Sequence, residues 1–250
     1  MEAARNNIVR LDYERHDLFI HIDSHIEIES RAFSCQKEPD TVAWIDKYFK
    51  EGDRALDIGA NIGAYTLIMS RNVGDRGMIY AFEPGWHNFY QLNRNIILNK
   101  CESNTMALNI ALTSDKKINV FNYRDFIFGS SLHTLGKAVD FVGNEFKPYA
   151  CQQILSYTVD AFIEEFNLRP INHIKLDVDG IEAEVIKGAQ RTLKTPPCIS
   201  MMVELNEAFE SDRECIEFLH QIGFKTVSRR PNPSAFYQSE TIYNYIFAKI

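Results

Sequence analysis

Asp57, Gly59, Gly63 and Glu83 are the residues whose types and spacing first suggest chemistry. The run Asp57-Ile58-Gly59-Ala60-Asn61-Ile62-Gly63 links a short apolar stretch to an amphipathic one, as a strand-to-helix loop does. Glycines in such a loop let the backbone turn tightly and approach a ligand closely. A dinucleotide fingerprint needs GxGxxG, with a helix N-terminus facing a pyrophosphate. This loop has GxxxG, and a carboxylate two residues before its first glycine repels a pyrophosphate. It suits a phosphate-free ligand that carries an ammonium and a sulfonium. Glu83 ends the next apolar stretch, Ile79-Tyr80-Ala81-Phe82, where an acid accepts hydrogen bonds from ribose hydroxyls. Alone, Glu83 says only that the ligand contains adenosine.

A second constellation lies further along. By the two-residue period of a strand, Lys175, Asp177 and Asp179 share one face, and Ile174, Leu176 and Val178 the other. A buried parallel strand is usually apolar on both faces, so charges at its carboxyl end suggest a site. Asp179-Gly180-Ile181-Glu182 also fits a capping box, with Asp179 as N-cap and Glu182 at N3. Glu204 and Asn206 follow the apolar run 199–203; Glu204 there either faces a site or pairs with Lys175.

The elements that must position these residues follow an α/β rhythm. Strands are expected at 54–58, 78–82, 106–112, 173–178, 198–205, 224–228 and 241–250. Helices are expected at 63–71, 86–99, 181–193 and 212–221. The alternation implies a doubly wound, mostly parallel sheet covered on both faces. The last strand has no helix before it and so enters antiparallel. Ahead of this lie a short hairpin (18–23, then 26–28) and a helix over 40–49, which together form an extension over 1–52. Residues 116–157 break the rhythm and read as an insertion over the site, within one domain of 1–250.

Composition narrows the partners. A formal charge of −7 argues against nucleic acid, which normally requires a basic face. The five cysteines are scattered, without metal-binding spacing. Residues 1–16 carry no apolar signal region and no run approaches a membrane span, so a cytoplasmic protein is expected. Homo-oligomerisation stays open.

The sequence resembles the FkbM-type methyltransferases, a branch of the Rossmann-like class I enzymes. The resemblance rests on Leu56 to Gly63, Phe82-Glu83-Pro84, Tyr157-Thr158-Val159-Asp160, Ile174 to Glu182 and Lys187-Gly188-Ala189; the family usually has Glu where Asp179 stands. It implies a seven-stranded sheet with an antiparallel last strand, S-adenosylmethionine as methyl donor, and O-methylation, commonly of a sugar hydroxyl on a glycan, glycolipid or natural product. To the donor site we assign Asp57, Gly59, Ala60, Asn61, Gly63, Tyr65, Glu83, Pro84, Trp86, Ala111 and Asp177. A hydroxyl must lose its proton, and two routes are open. Either Asp177, Asp179 or His133 acts as general base, or Asp177, Glu204 and Asn206 hold a divalent ion such as Mg that acidifies it. The rival readings are a non-catalytic adenosyl-binding protein and a nicotinamide oxidoreductase, the latter disfavoured by the missing GxGxxG.

Overall fold

The computed structural model describes residues 7–232 and 240–249. Near the N-terminus, β1 (Ile8–Arg10) and β2 (Phe19–His21) pair antiparallel, with Val9 opposite Ile20. The segment expected as the hairpin's other arm, 26–28, instead enters a π-helical turn over Glu27–Arg31. Glu27 explains the difference. Its fully buried carboxylate accepts hydrogen bonds from the backbone N–H groups of Asp23 and Ser24 and from the Gln91 amide. Those bonds favour a coiled segment that alternation cannot reveal. Two helices follow, α1 (Ser34–Lys37) and α2 (Pro39–Tyr48).

Then come β3 (Arg54–Ile58), α3 (Ala64–Val73), β4 (Met78–Phe82), α4 (Trp86–Leu98) and β5 (Thr105–Leu108). Four strands follow, β6 (Ala111–Leu112), β7 (Lys117–Tyr123), β8 (Thr134–Leu135) and β9 (Ala150–Tyr157). The chain continues through α5 (Val159–Glu165), β10 (His173–Leu176), α6 (Glu182–Lys187) and α7 (Gln190–Lys194). It ends with β11 (Ser200–Asn206), α8 (Glu210–Gln221), β12 (Lys225–Pro231) and β13 (Ile242–Ala248).

Seven strands form one mixed sheet in the order β12-β13-β11-β10-β3-β4-β5. Strands β11, β10, β3, β4 and β5 pair in parallel, while β13 runs antiparallel to both neighbours. Successive side chains of a strand point to opposite faces, so apolar strands need cover on both. Ala55, Ile79, Ala81 and Met202 pack with Trp44, Leu67, Leu92 and Ile96 of α2, α3 and α4. Leu56, Phe82, Leu176 and Val203 pack on the other face with Phe162, Val185, Leu193 and Leu219 of α5 to α8.

Two expected elements divide. The run 106–112 splits because Asn109 turns the chain, its amide donating to the carbonyls of Glu83 and Pro84. β6 then joins a second sheet of order β6-β9-β7-β8, built from the segment read as an insertion. The helix expected over 181–193 breaks at Gly188, where a side chain would lie 2.3 Å from the Thr113 carbonyl oxygen. Among the described residues, no helix is long and apolar enough to cross a membrane.

Candidate active site

A cleft with about 1200 Å³ of open space lies beyond the carboxyl ends of β3, β4, β10 and β11. It sits where the strand order runs one way from β3 to β5 and the other way through β10, the usual ligand crevice of such sheets. Gly59 closes β3 at φ +82°, and a Cβ there would be 1.8 Å from the Asp177 carbonyl oxygen. The glycine is thus required by the neighbouring strand's loop. Asn61 donates its backbone N–H to Glu83 Oε2 at 2.8 Å and its side-chain amide to the Ser130 carbonyl at 2.8 Å. Glu83 Oε1 accepts from the Gly85 N–H at 2.8 Å. Burial pushes the Glu83 carboxyl up to about 7, against the pull of those two backbone donors. Gly59, Ala60, Asn61, Tyr65, Glu83, Pro84, Ala111 and Asp177 all line the cleft.

Three assigned residues do not line it. Asp57 is 1% exposed beneath the loop; its Oδ2 accepts from the Thr66 hydroxyl at 2.5 Å, and Oδ1 has no hydrogen-bond partner. Lys175 Nζ lies 3.8 Å from Oδ1. Burial pushes the Asp57 pKa up, against the pull of Lys175 and Thr66. Gly63 is a packing glycine, since a Cβ there would be 2.5 Å from Leu92 Cδ1. Trp86 is 57% exposed, and only its backbone is engaged here, donating to the Tyr123 hydroxyl. It starts a helix whose inward positions are taken by His87, Asn88 and Gln91, and its side chain is not part of the cleft lining.

The wall built from the end of β10 is acidic. Lys175, 1% exposed, places Nζ 3.2 Å from Asp177 Oδ2 and 5.2 Å from the centre of the Tyr65 ring. Burial favours a neutral Asp177, but Lys175, with Lys37 and Arg31 beyond it, holds the carboxyl below its ordinary range. Burial, reinforced by the charge of Asp177, pushes Asp179 up to about 6. Asp179 Oδ2 accepts from the Leu132 N–H at 2.7 Å, and its backbone is left-handed at φ 60°. It therefore does not cap α6, whose N-cap is Ile181 without a side-chain bond. Glu182 instead staples the loop, accepting from the N–H groups of Val178 and Gly180.

Glu204 lines the same cleft and accepts from the Asn232 amide, while Lys175 pairs with Asp57 and Asp177. Burial first, then the charges of Asp177, Glu182, Asp179 and Glu38, drive its pKa well up. Asn206 is turned away. Its amide donates to the Phe141 carbonyl, and its oxygen accepts from Ala208 N–H and the Thr241 hydroxyl. The expected trio Asp177, Glu204 and Asn206 is therefore not assembled around one point. Among the described residues, no three His, Cys, Asp or Glu groups are arranged to hold a metal ion.

His133 lines the cleft but is poorly suited as a base. Nδ1 accepts from the Arg124 N–H at 3.2 Å, which leaves the proton on Nε2, 3.1 Å from Ser130 Oγ. Burial, then His87, pushes its pKa down to about 4. Among the lining residues that sequence reasoning does not assign are Arg31, Ser34, Lys37 and Glu38, all ahead of the glycine loop. In sequence they are indistinguishable from a solvated polar segment. Backbone strain also marks the cleft. Asn61, Leu132 and Asp179, three of the five described non-glycine residues with positive φ, line it.

The raised acids set a direction for stability. Glu83 and Glu182, raised to about 7 and about 8 by burial, hold a proton in the native state at pH values where the unfolded chain has lost it. Stability therefore falls as pH rises through 7 to 8. His21, His87, His133 and His173 are lowered by burial, and the last protons their unfolded forms release above pH 6.5 oppose this slope only in part. Thermal melts of the ligand-free protein should show a lower Tm at pH 8 than at pH 6.5, with Glu182→Gln flattening the difference. Equal Tm values would contradict the assignment.

Comparison with known proteins agrees with this geometry. The model of the methyltransferase FkbM domain matches residues 57–226, from the glycine loop into β12. Methyltransferase sdnD of Sordaria araneosa is 28% identical over 153 residues, which covers 53% of this chain and 59% of that protein. The chain thus spans less than two thirds of that relative. The FkbM methyltransferase structure from Methylobacillus flagellatus matches with TM-score 0.51 and 12% identity, over 83% of this chain and 50% of that one. SMU.1697c, a methyltransferase structure from Streptococcus mutans in complex with SAH, matches with TM-score 0.52 and 9% identity, over 86% and 98%. Such identities speak for the fold, a Rossmann-like class I methyltransferase fold. With the family match spanning well over half of its length, the chain belongs to the FkbM methyltransferase family and carries that methyltransferase domain.

Proposed function

We propose that the chain transfers a methyl group from S-adenosylmethionine to a hydroxyl, on a sugar of a glycan, glycolipid or natural product. The observation that carries this is one cleft lined both by the tight glycine loop with Glu83 and by Asp179, a carboxyl raised to about 6. The residues fit the donor: Glu83 lines the cleft as an acceptor for ribose hydroxyls, and Asp177, held ionised by Lys175, lines it as an acceptor for an ammonium. Backbone groups of Gly59 to Asn61, the Glu83 carboxylate, Tyr65 and Asp177 would hold it.

When bound, S-adenosylmethionine supplies an electrophilic methyl on a sulfonium. The protein's task is then alignment and removal of one proton. Asp177, kept ionised by Lys175, orients the cationic part of the donor. Asp179 accepts the hydroxyl proton, since its raised pKa makes it the stronger base of the two. Phe121, Leu132 and Phe141 supply apolar wall that keeps water from the reacting atoms. In this reading 1–250 is one domain, 116–157 roofs the acceptor end, and the protein works in the cytoplasm.

Calorimetry with S-adenosylhomocysteine and with NAD tests the donor: the former should bind and the latter should not, and failure of S-adenosylhomocysteine to bind would overturn the proposal. A divalent ion at Asp177 and Glu204 is the competing route for the proton. Turnover is expected to survive EDTA; loss of turnover, restored by Mg, would transfer the step to a metal. Mass spectrometry of glycans from cells with and without the protein tests the acceptor.

A further inference from the structure

Two further cations on the cleft wall reach Asp177 only through their field and are assigned no ligand in the reading above. Arg31 ends the π-helical turn and Lys37 ends α1, both ahead of residue 57, where the family match begins. The third cation of the wall, Lys175, is engaged by Asp177 at 3.2 Å and Asp57 at 3.8 Å. Arg31 is held differently. Its Nε donates to the Gly129 carbonyl at 2.8 Å. Gly129 is left-handed at φ +78°, and a Cβ there would come within 2.8 Å of Glu27 Cγ and 3.3 Å of Arg31 Cγ. One edge of the guanidinium is thereby fixed, and the terminal nitrogens remain to donate. Among the described residues Lys37 makes one ion pair, with its sequence neighbour Glu38 at 3.4 Å, its own side chain 35% exposed and that of Glu38 10%.

We infer that Arg31 and Lys37 bind the carboxylate at the amino-acid end of the methyl donor, an inference that rests on the S-adenosylmethionine reading. That donor carries an ammonium and a sulfonium, which suit an acidic cleft, and a carboxylate, which does not. Glu38, Glu83, Asp177, Asp179 and Glu204 all line this cleft. A further carboxylate enters such a field only beside a cation. With Lys175 already engaged, Arg31 and Lys37 are the lining cations left among the described residues. Arginine suits the task, since its planar fork presents paired N–H donors to a carboxylate.

The test compares S-adenosylhomocysteine with 5′-methylthioadenosine, which keeps the adenosine and thioether but lacks the amino-acid carboxylate. By calorimetry, the Arg31→Gln, Lys37→Gln double variant should bind S-adenosylhomocysteine about tenfold more weakly or worse, and 5′-methylthioadenosine within about twofold of the unaltered protein. Arg31→Lys, which keeps the charge, should fall between. Equal losses for both ligands would mark general damage to the cleft and overturn the inference. Unchanged affinity for both would overturn it too. If the variant instead raised the KM for the acceptor alone, the cations would belong to an acidic acceptor. Failure of the unaltered protein to bind S-adenosylhomocysteine would remove the donor reading itself, whereas binding by both proteins alike removes only this inference.

Discussion

Gly59→Ala is expected to abolish detectable binding of S-adenosylhomocysteine, a loss of about 100-fold or more. Two causes act together. At φ +82° an L side chain is strained by roughly 1–2 kcal/mol. The added Cβ also meets the Asp177 carbonyl oxygen at 1.8 Å, and that atom is backbone, so the loops themselves must separate. Separation displaces Asn61, whose N–H holds Glu83, and so disturbs the ribose and the amino-acid ends at once. Gly136→Ala provides the control. Gly136 has a similar φ of +81° but open space around the missing Cβ, so strain acts there without a clash. It should lower Tm slightly and leave binding intact. Circular dichroism would establish that both variants fold; binding by Gly59→Ala within a few-fold of the unaltered protein would mean the donor does not sit on this loop.

Asp179→Asn should lower kcat by roughly 10²- to 10⁴-fold, the usual contribution of a positioned general base. The substitution is well suited to isolating that role. Asparagine tolerates the left-handed backbone that Asp179 adopts, and its amide oxygen can still accept from the Leu132 N–H. Geometry is therefore kept while the proton acceptor is removed. Affinity for S-adenosylhomocysteine should change little, so the loss appears in kcat and not in donor binding. Near-normal turnover would free Asp179 from proton transfer and direct attention to Glu204, the other raised carboxyl on the same wall.

Much of the frame was legible because it depends on local pattern. Strands 54–58 and 78–82 coincide with β3 and β4, since apolar runs bounded by a glycine loop or an Glu-Pro turn leave little choice of end. The loop and Glu83 were legible for the same reason. Asp57 was not, because spacing shows that a residue is near a turn but not which way its side chain leaves the sheet. In the register Asp57 stands opposite Lys175 on β10, and Thr66 of α3 completes its burial. Asp179 shows a local motif overruled from a distance: the capping box was available, but the Leu132 N–H, 47 residues away in sequence, took the carboxylate. Arg31 and Lys37 illustrate the limit most plainly, since only the folded arrangement brings residues before α2 against the end of β10. Phe236 and Tyr237, aromatics of the kind that stack on sugar faces, lie outside the described residues.

The left-handed backbones at Asn61, Leu132 and Asp179 have an evolutionary consequence. Glycine at any of them would relax the chain, by an amount on the order of 1 kcal/mol each. Leu132 has most to gain, since a branched side chain suits that conformation least. A lineage or a laboratory library selected for heat resistance alone would therefore find favourable replacements first around the cleft. It would give up the grip of Asn61 on the Ser130 carbonyl and the carboxylate of Asp179 as it did so. In this chain three side chains that strain the backbone stand at the cleft, where glycine would be easier and robustness greater.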